Sequence, residues 1–238
     1  MTYVDGFIVA VPTANKEAYR AHAEKMLPLL DEFGATRLVE GWGDSVPRGE
    51  LNDLYRAVDA KDDETVLFSW IEYPDKATRD AAGEKMMSDP RLQDMGEMPF
   101  DGSRMIYAGF EGLSEEGARG ECGYIDGIVL PVPVANRQGY RDFCTVTAAA
   151  FRDHGATRVV DGWGTDVPDG KQTDFKRAAL VQDGETVVFG WVEWPSKAVR
   201  DAAWEKLMTD ERLANAGKDR PFDGKRMMFG GFTPIVDK

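Results

Sequence analysis

The residues best suited to chemistry in this chain are carboxylates set two positions from a tryptophan: Glu40 with Trp42, and Trp70 with Glu72. Side chains alternate between the faces of a β-strand, so each pair points to one side of a sheet. The pattern returns as Asp161 with Trp163, and Trp191 with Glu193. A carboxyl group walled by tryptophan loses hydration, which penalises its charged form, raises its pKa and suits it to general acid or base work. Glu72 and Glu193 are the candidate proton acceptors. Glu40, Trp42, Trp70, Asp161, Trp163 and Trp191 are candidates to surround a substrate. Arg56 and Arg177, in a shared Asp-x-x-Arg-Ala segment, and Arg104 and Arg226, expected in the last strands, could bind an anionic substrate or stabilise an enolate. The same residue types admit a structural reading, in which each acid pairs with an arginine, its pKa falls and the pair locks a seam.

Other chemistries find little support. His22 and His154 are the only histidines, they do not correspond between the two halves, and neither sits in a metal-ligand motif. A histidine-ligated haem would need one of these two, so no metal and no cofactor is expected. Cys122 and Cys144 occur only in the second half, which argues against a disulfide framework or a shared nucleophile. Glycine-rich nucleotide loops and a Gly-x-Ser-x-Gly elbow are absent from the sequence. With 42 acidic against 29 basic residues the net charge is -13, a field that repels polyphosphate, so nucleic acid and anionic membranes are poor partners. No run approaches the ~18 apolar residues of a membrane span, and the first residues lack a basic secretory n-region. A cytoplasmic location is the expectation.

The elements that must position these groups come in two sets. Tyr3-Val4-Asp5-Gly6 returns as Tyr124-Ile125-Asp126-Gly127, Gly34-Ala35-Thr36-Arg37 as Gly155-Ala156-Thr157-Arg158, and Arg79-Asp80-Ala81-Ala82 as Arg200-Asp201-Ala202-Ala203, at one constant offset. A period this long means a duplicated domain. We assign residues 1–113 to the first repeat, 114–121 to a small, polar, glycine-rich linker and 122–238 to the second repeat.

Within a repeat, Val4 to Pro12 reads as a buried strand, and Asn15 and Asn136 are expected to cap a first helix that runs from Lys16 to Phe33 and stops at Gly34. Thr36 to Gly43, Leu54 to Ala60 and Glu64 to Tyr73 follow, two of which should pair as a hairpin; Asp183-Gly184 is a hairpin dipeptide at the corresponding place. Asp75 and Ser196 should cap a second helix, and Arg104 to Phe110 supplies the last strand. The order is β-α-β-β-α-β, a ferredoxin-like unit of α+β class with helices on one sheet face. Phe68, Trp70 and Glu72 on one face, and Leu67, Ser69, Ile71 and Tyr73 on the other, leave both faces apolar, so a second sheet must cover the first. Two repeats packed face to face would close a barrel within one chain.

These motifs in fixed order, with the Trp-x-Glu-x-Pro and Trp-Val-Glu-Trp-Pro strand ends, Val46-Pro47 and Val167-Pro168, and Pro-Phe-Asp-Gly-x-Arg-Met, resemble the YbaA-like domain-of-unknown-function family, present twice. The resemblance implies the dimeric α+β barrel superfamily, whose two halves this chain would supply by itself as a monomer with pseudo-two-fold repeats, with room for further dimerisation. It implies no activity. The expectation is a small-molecule binding or accessory module; the alternative is a cofactor-independent monooxygenase or isomerase acting on a small, partly apolar or aromatic substrate.

Overall fold

β-Branched and aromatic residues fill the strand segments, and proline or glycine ends them, so each repeat lays down four strands. The computed structural model describes residues 2–93 and 96–238. The first repeat runs β1 (Tyr3–Pro12), α1 (Lys16–Glu32), β2 (Arg37–Ser45), α2 (Leu54–Ala57), β3 (Glu64–Tyr73), α3 (Lys76–Ser88), α4 (Pro90–Gln93) and β4 (Ile106–Gly117). The second runs β5 (Tyr124–Pro133), α5 (Arg137–Asp153), β6 (Arg158–Asp166), α6 (Phe175–Ala178), β7 (Glu185–Trp194), α7 (Lys197–Leu207), α8 (Glu211–Ala216) and β8 (Met228–Asp237). The eight strands form a closed barrel in the order β1-β3-β2-β8-β5-β7-β6-β4, so each repeat contributes four adjacent strands and the seams are β2–β8 and β4–β6. Closure satisfies the edges that either repeat alone would leave open.

β2 is bulged: it shifts register against β8 between Glu40 and Gly41 and again between Gly43 and Ser45. Four expectations need correction. Leu54–Ala57 is one helical turn, not a strand; Asp53 caps it by accepting from the Arg56 amide, as Asp174 does from Arg177, so β2 pairs directly with β3 across a long connection. Asn15 and Asn136 make no side-chain cap; each donates its amide to the Pro-Phe-Asp-Gly turn, at the Pro99 and Pro221 carbonyls, because a single 3-10 turn precedes each helix and supplies its first carbonyls. β4 continues to Gly117, with Ser114 to Gly117 paired to β6, so the first four residues assigned to the linker are strand. Arg104 and Arg226 lie in 3-10 turns ahead of the last strands rather than in them. The caps at Asp75 and Ser196 are as expected, accepting from the Thr78 and Val199 amides.

Aromatic rings fill the barrel. Phe68 and Phe189, one from each repeat, stack with centroids 4.2 Å apart, and Trp70 stacks on Trp191 at 4.4 Å. The glycine of the repeated Tyr-Val/Ile-Asp-Gly motif is explained by this contact, since a Cβ on Gly6 would meet Phe189 at 2.9 Å and one on Gly127 would meet Phe68 at 2.7 Å. Each ring therefore rests on the opposite repeat's backbone. Helices α1, α3, α5 and α7 pack on the outer sheet face, where separate apolar clusters form.

Candidate functional site

Inward alternation on β3 and β7 carries Trp70 with Glu72, and Trp191 with Glu193, into the barrel. On β2 and β6 the inward residues are Arg37 with Val39, and Arg158 with Val160. Arg37 stands opposite Glu72 in strand register, yet its two-pronged bond goes across the molecule to Glu193, at 2.7 and 3.0 Å; Arg158 likewise grips Glu72 at 2.7 and 2.9 Å. Asp237 and Glu115 hold the remaining edges of the two guanidinium groups, and the Trp70 and Trp191 indole N–H groups donate to Glu72 and Glu193 at 3.0 Å. Burial alone would raise the Glu72 pKa, but the Arg158 pair, the Trp70 donor and Arg37 outweigh it, so the carboxyl is held below its ordinary range. A carboxylate fixed in its charged form by bidentate arginine is a poor proton acceptor. Glu72 and Glu193 are thus the members of an inter-repeat ion-pair lattice, and the stacked Trp70 and Trp191 rings cover one another.

The other predicted acids face the opposite way. Glu40 and Asp161 do not share the barrel interior with Glu72 and Glu193 but lie between the outer sheet face and the first helix of each repeat, because the inward positions of β2 and β6 are the alternate residues Arg37, Val39, Arg158 and Val160. There each meets a helical tyrosine: the Tyr19 hydroxyl donates to Glu40 at 2.8 Å and the Tyr140 hydroxyl to Asp161 at 3.0 Å. The Ser69 hydroxyl also donates to Glu40, and the Cys144 thiol stands beside Asp161. Burial pushes Glu40 up to about 7 against the lowering effect of its Ser69 and Tyr19 bonds, and it raises Asp161 against Tyr140 and Cys144. Both tyrosines are held well above their ordinary value by burial and the adjacent acid.

Each pair opens on a cavity. The second repeat has one of about 680 Å³ between the sheet and helices α5, α7 and α8, with Leu130, Phe143, Phe151, Trp204 and Phe222 as apolar walls and Asp126 and Arg200 at its other polar point. The first repeat has one of about 610 Å³, with Met26, Met86, Phe100 and Met105 as walls and Asp5, Arg79 and Asp166 in the corresponding place. Arg79 donates to Asp5 at 2.7 Å and to Asp166 at 2.6 Å; burial, opposed by Arg79, lifts Asp5 to about 6. These volumes suit a small organic molecule, and a mostly apolar lining with a few convergent polar groups is the usual composition of a binding site.

Trp42 and Trp163 back this arrangement in the clusters around Tyr19 and Tyr140, with Lys16 and Arg137 over their rings. Arg56 and Arg177 are outside it: about half exposed, they bond to Asp53 and Asp174 and to nearby backbone carbonyls. Arg104 and Arg226 are spent on Glu64 and Glu185, at 2.6 to 2.8 Å, and on Asp101 and Asp223. Tyr19, Tyr140, Arg79, Arg200, Asp5, Asp126, Arg37 and Arg158 were not among the candidate site residues of the sequence. A signal was present for all of them, since each recurs between repeats within a shared motif or at one helix position. Among the described residues, no three His, Cys, Asp or Glu side chains converge as metal ligands, and no helix is long and apolar enough to cross a membrane.

Comparison with known proteins agrees with this architecture. A family described as protein of unknown function (DUF1428) matches residues 2–102 and again 123–224. An uncharacterised Escherichia coli K12 protein, YbaA, is 59% identical over 117 residues, which is 49% of this chain and all of that protein. Among solved structures, a proposed monooxygenase from Lactobacillus acidophilus NCFM superposes with a TM-score of 0.60 at 9% identity, covering 99% of this chain and 95% of that one. An anthrone oxidase-like protein gives 0.56 at 15% identity, covering 100% and 92%. At these identities the structural matches show a common fold.

Proposed function

Since this chain belongs to DUF1428, a family of proteins of unknown function, we propose a role from its own geometry: it binds small, largely apolar molecules in the two cavities between sheet and helices, with the Tyr–carboxyl pair of each repeat holding the ligand's polar end. The observation that carries this reading is the duplicated pair itself. A buried carboxyl group bonded to a buried tyrosine at the floor of an apolar cavity costs stability, and beyond the Ser69 hydroxyl or the Cys144 thiol the further partner such a group can take is a ligand. The barrel interior, by contrast, is filled by stacked rings and ion pairs. Fluorescence titration with 2-naphthol tests the reading. Saturable binding of two molecules per chain is expected, falling to one in Ala214→Trp, which fills the second-repeat cavity from α8. Non-saturable binding, or two sites surviving in the variant, overturns it.

A second reading is favoured by one observation, the near-neutral pKa of Glu40. A carboxyl group poised there exchanges protons readily at physiological pH. Glu40 would take a proton from an acidic C–H of a bound ketone and return it, the first step of a cofactor-free oxygenation or an isomerisation. This moves the acid/base role from Glu72 and Glu193 to Glu40 and Asp161. The fold shared with a proposed monooxygenase and an anthrone oxidase-like protein is compatible with that chemistry and does not select it. Deuterium uptake by 2-tetralone at pH 7, followed by NMR, should exceed the buffer rate in the native chain and drop to it in Glu40→Gln and Asp161→Asn together. Exchange no faster than buffer in the native chain leaves binding as the function.

A further inference from the structure

The two cavities differ at the end away from the tyrosines, and, on the reading that both bind small molecules, the difference specifies a ligand. In the second repeat three donors converge on Asp126: Trp194 Nε1 at 3.0 Å, Trp204 Nε1 at 2.9 Å and Arg200 Nε at 2.9 Å. The Trp204 ring stands edge-on to Phe151 with centroids 5.7 Å apart, and the Arg200 guanidinium carbon lies 5.7 Å from its centre. In the first repeat Asp5 and Arg79 occupy the same places and keep their bond, but Tyr73 stands for Trp194 and Gly83 for Trp204. Among the described residues Arg79 is the only side chain that donates to Asp5, and the buried Tyr73 hydroxyl has no hydrogen-bond partner. A Cβ built on Gly83 meets no heavy atom within 4 Å, and Gly83, Asp5 and Arg79 all line the first cavity. Where one repeat fills this volume with its own indole, the other has open space, an acceptor short of donors and a guanidinium beside it.

We propose that the first-repeat cavity binds a planar aromatic molecule bearing a ring N–H or hydroxyl donor, an indole or a phenol, which lies over Gly83 and donates to Asp5 as Trp204 donates to Asp126. The ligand is not an anion, because among the described residues Asp5, Glu40 and Asp166 line the cavity against the one guanidinium of Arg79, with His22 beyond. The N–H selects the ligand: a buried acceptor left without its donor rejects an analogue that has the shape alone. Arg79 would lie against its ring as Arg200 does against Trp204.

The test uses indole and its isostere benzothiophene, which lacks the donor, in calorimetric titrations of the full chain. Indole is expected to bind at least about tenfold more tightly than benzothiophene. Gly83→Trp should abolish the tight indole site by supplying the internal ring that the second repeat already tolerates, and Trp204→Gly should create a second tight site. Equal binding of the two probes, an indole site unaffected by Gly83→Trp, or no indole binding up to its solubility overturns the proposal. The comparison of probes on the native chain stands even if a variant fails to fold. Should 2-naphthol still occupy the Tyr140–Asp161 cavity while the indole contrasts fail, only this proposal falls; should neither bind, the cavity reading falls with it.

Discussion

Glu40 shows how one position couples stability to function. Its pKa in the folded chain is raised to about 7 from an ordinary 4.5, first by burial, with the Ser69 and Tyr19 bonds only partly opposing it. Between those values the folded chain holds the proton and the unfolded chain has lost it, so stability falls as pH rises through the window from about 4.5 to 7 and stays reduced above it. A shift of this size corresponds to about 3 kcal/mol at about 1.4 kcal/mol per pKa unit. Glu40→Gln removes the ionisation while keeping a hydrogen-bonding side chain of the same shape. Its stability relative to the native chain should therefore improve by up to about 3 kcal/mol between pH 5 and pH 8, read by urea unfolding at both pH values. An unchanged difference across that range would mean that Glu40 titrates normally. Glu72 provides the opposite sign: with its pKa lowered by Arg158, Trp70 and Arg37 against burial, it contributes stability above the ordinary carboxylate range and loses it on acidification.

At the scale of elements, the turns that lead into α2 and α6, whose Arg56 and Arg177 are candidate anion binders in the sequence, act as caps in the structure. Asp53 accepts from the Arg56 and Gly49 amides, and Asp174 from the Arg177 and Gly170 amides, closing one loop twice. Asp53→Ala or Asp174→Ala should each lose about 1–2 kcal/mol of stability with unchanged ligand binding. Arg56→Ala, which removes a half-exposed guanidinium, should stay within about 0.5 kcal/mol. Denaturant midpoints of the three variants measure both. An equal loss in Arg56→Ala would return that arginine to a buried role. The short helix was hidden in the sequence because four residues are too few to show a helical period, and the Leu54 to Ala60 run is as apolar as an edge strand.

For the whole molecule, the barrel depends on exchange between repeats. Phe68 rests on Gly127 and Phe189 on Gly6, Arg37 bonds Glu193 and Arg158 bonds Glu72, and β2–β8 and β4–β6 close the sheet. A single repeat would expose β2 and β4 as open edges together with the inward rings. Residues 1–121 or 122–238 expressed alone should therefore form dimers, each copy supplying the missing half, as native mass spectrometry or sedimentation would show. A folded, monomeric half would contradict this. The 117-residue relative corresponds in length to one such repeat.

The duplication, the order of the long strands and helices within each copy and the closure of two sheets into one barrel were legible in the sequence, because repeated motifs, strand and helix periods and a doubly apolar sheet are local or pairwise signals. Period-2 spacing put Trp70 with Glu72, and Trp191 with Glu193, on one sheet face, as they are in the structure. What only the tertiary structure decided is which face of β2 and β6 turns inward, and hence that Arg37 and Arg158, not Glu40 and Asp161, meet those glutamates. Both faces of these strands are apolar and buried, so alternation separates two sets of residues without saying which is inside. Partner choice follows the same rule: Glu72 takes its short two-pronged bond from the arginine of the other repeat and only a 3.5 Å contact from the one beside it in strand register, and Tyr19 reaches Glu40 from a helix. Such contacts between distant segments arise from packing and leave no spacing in the chain to reveal them.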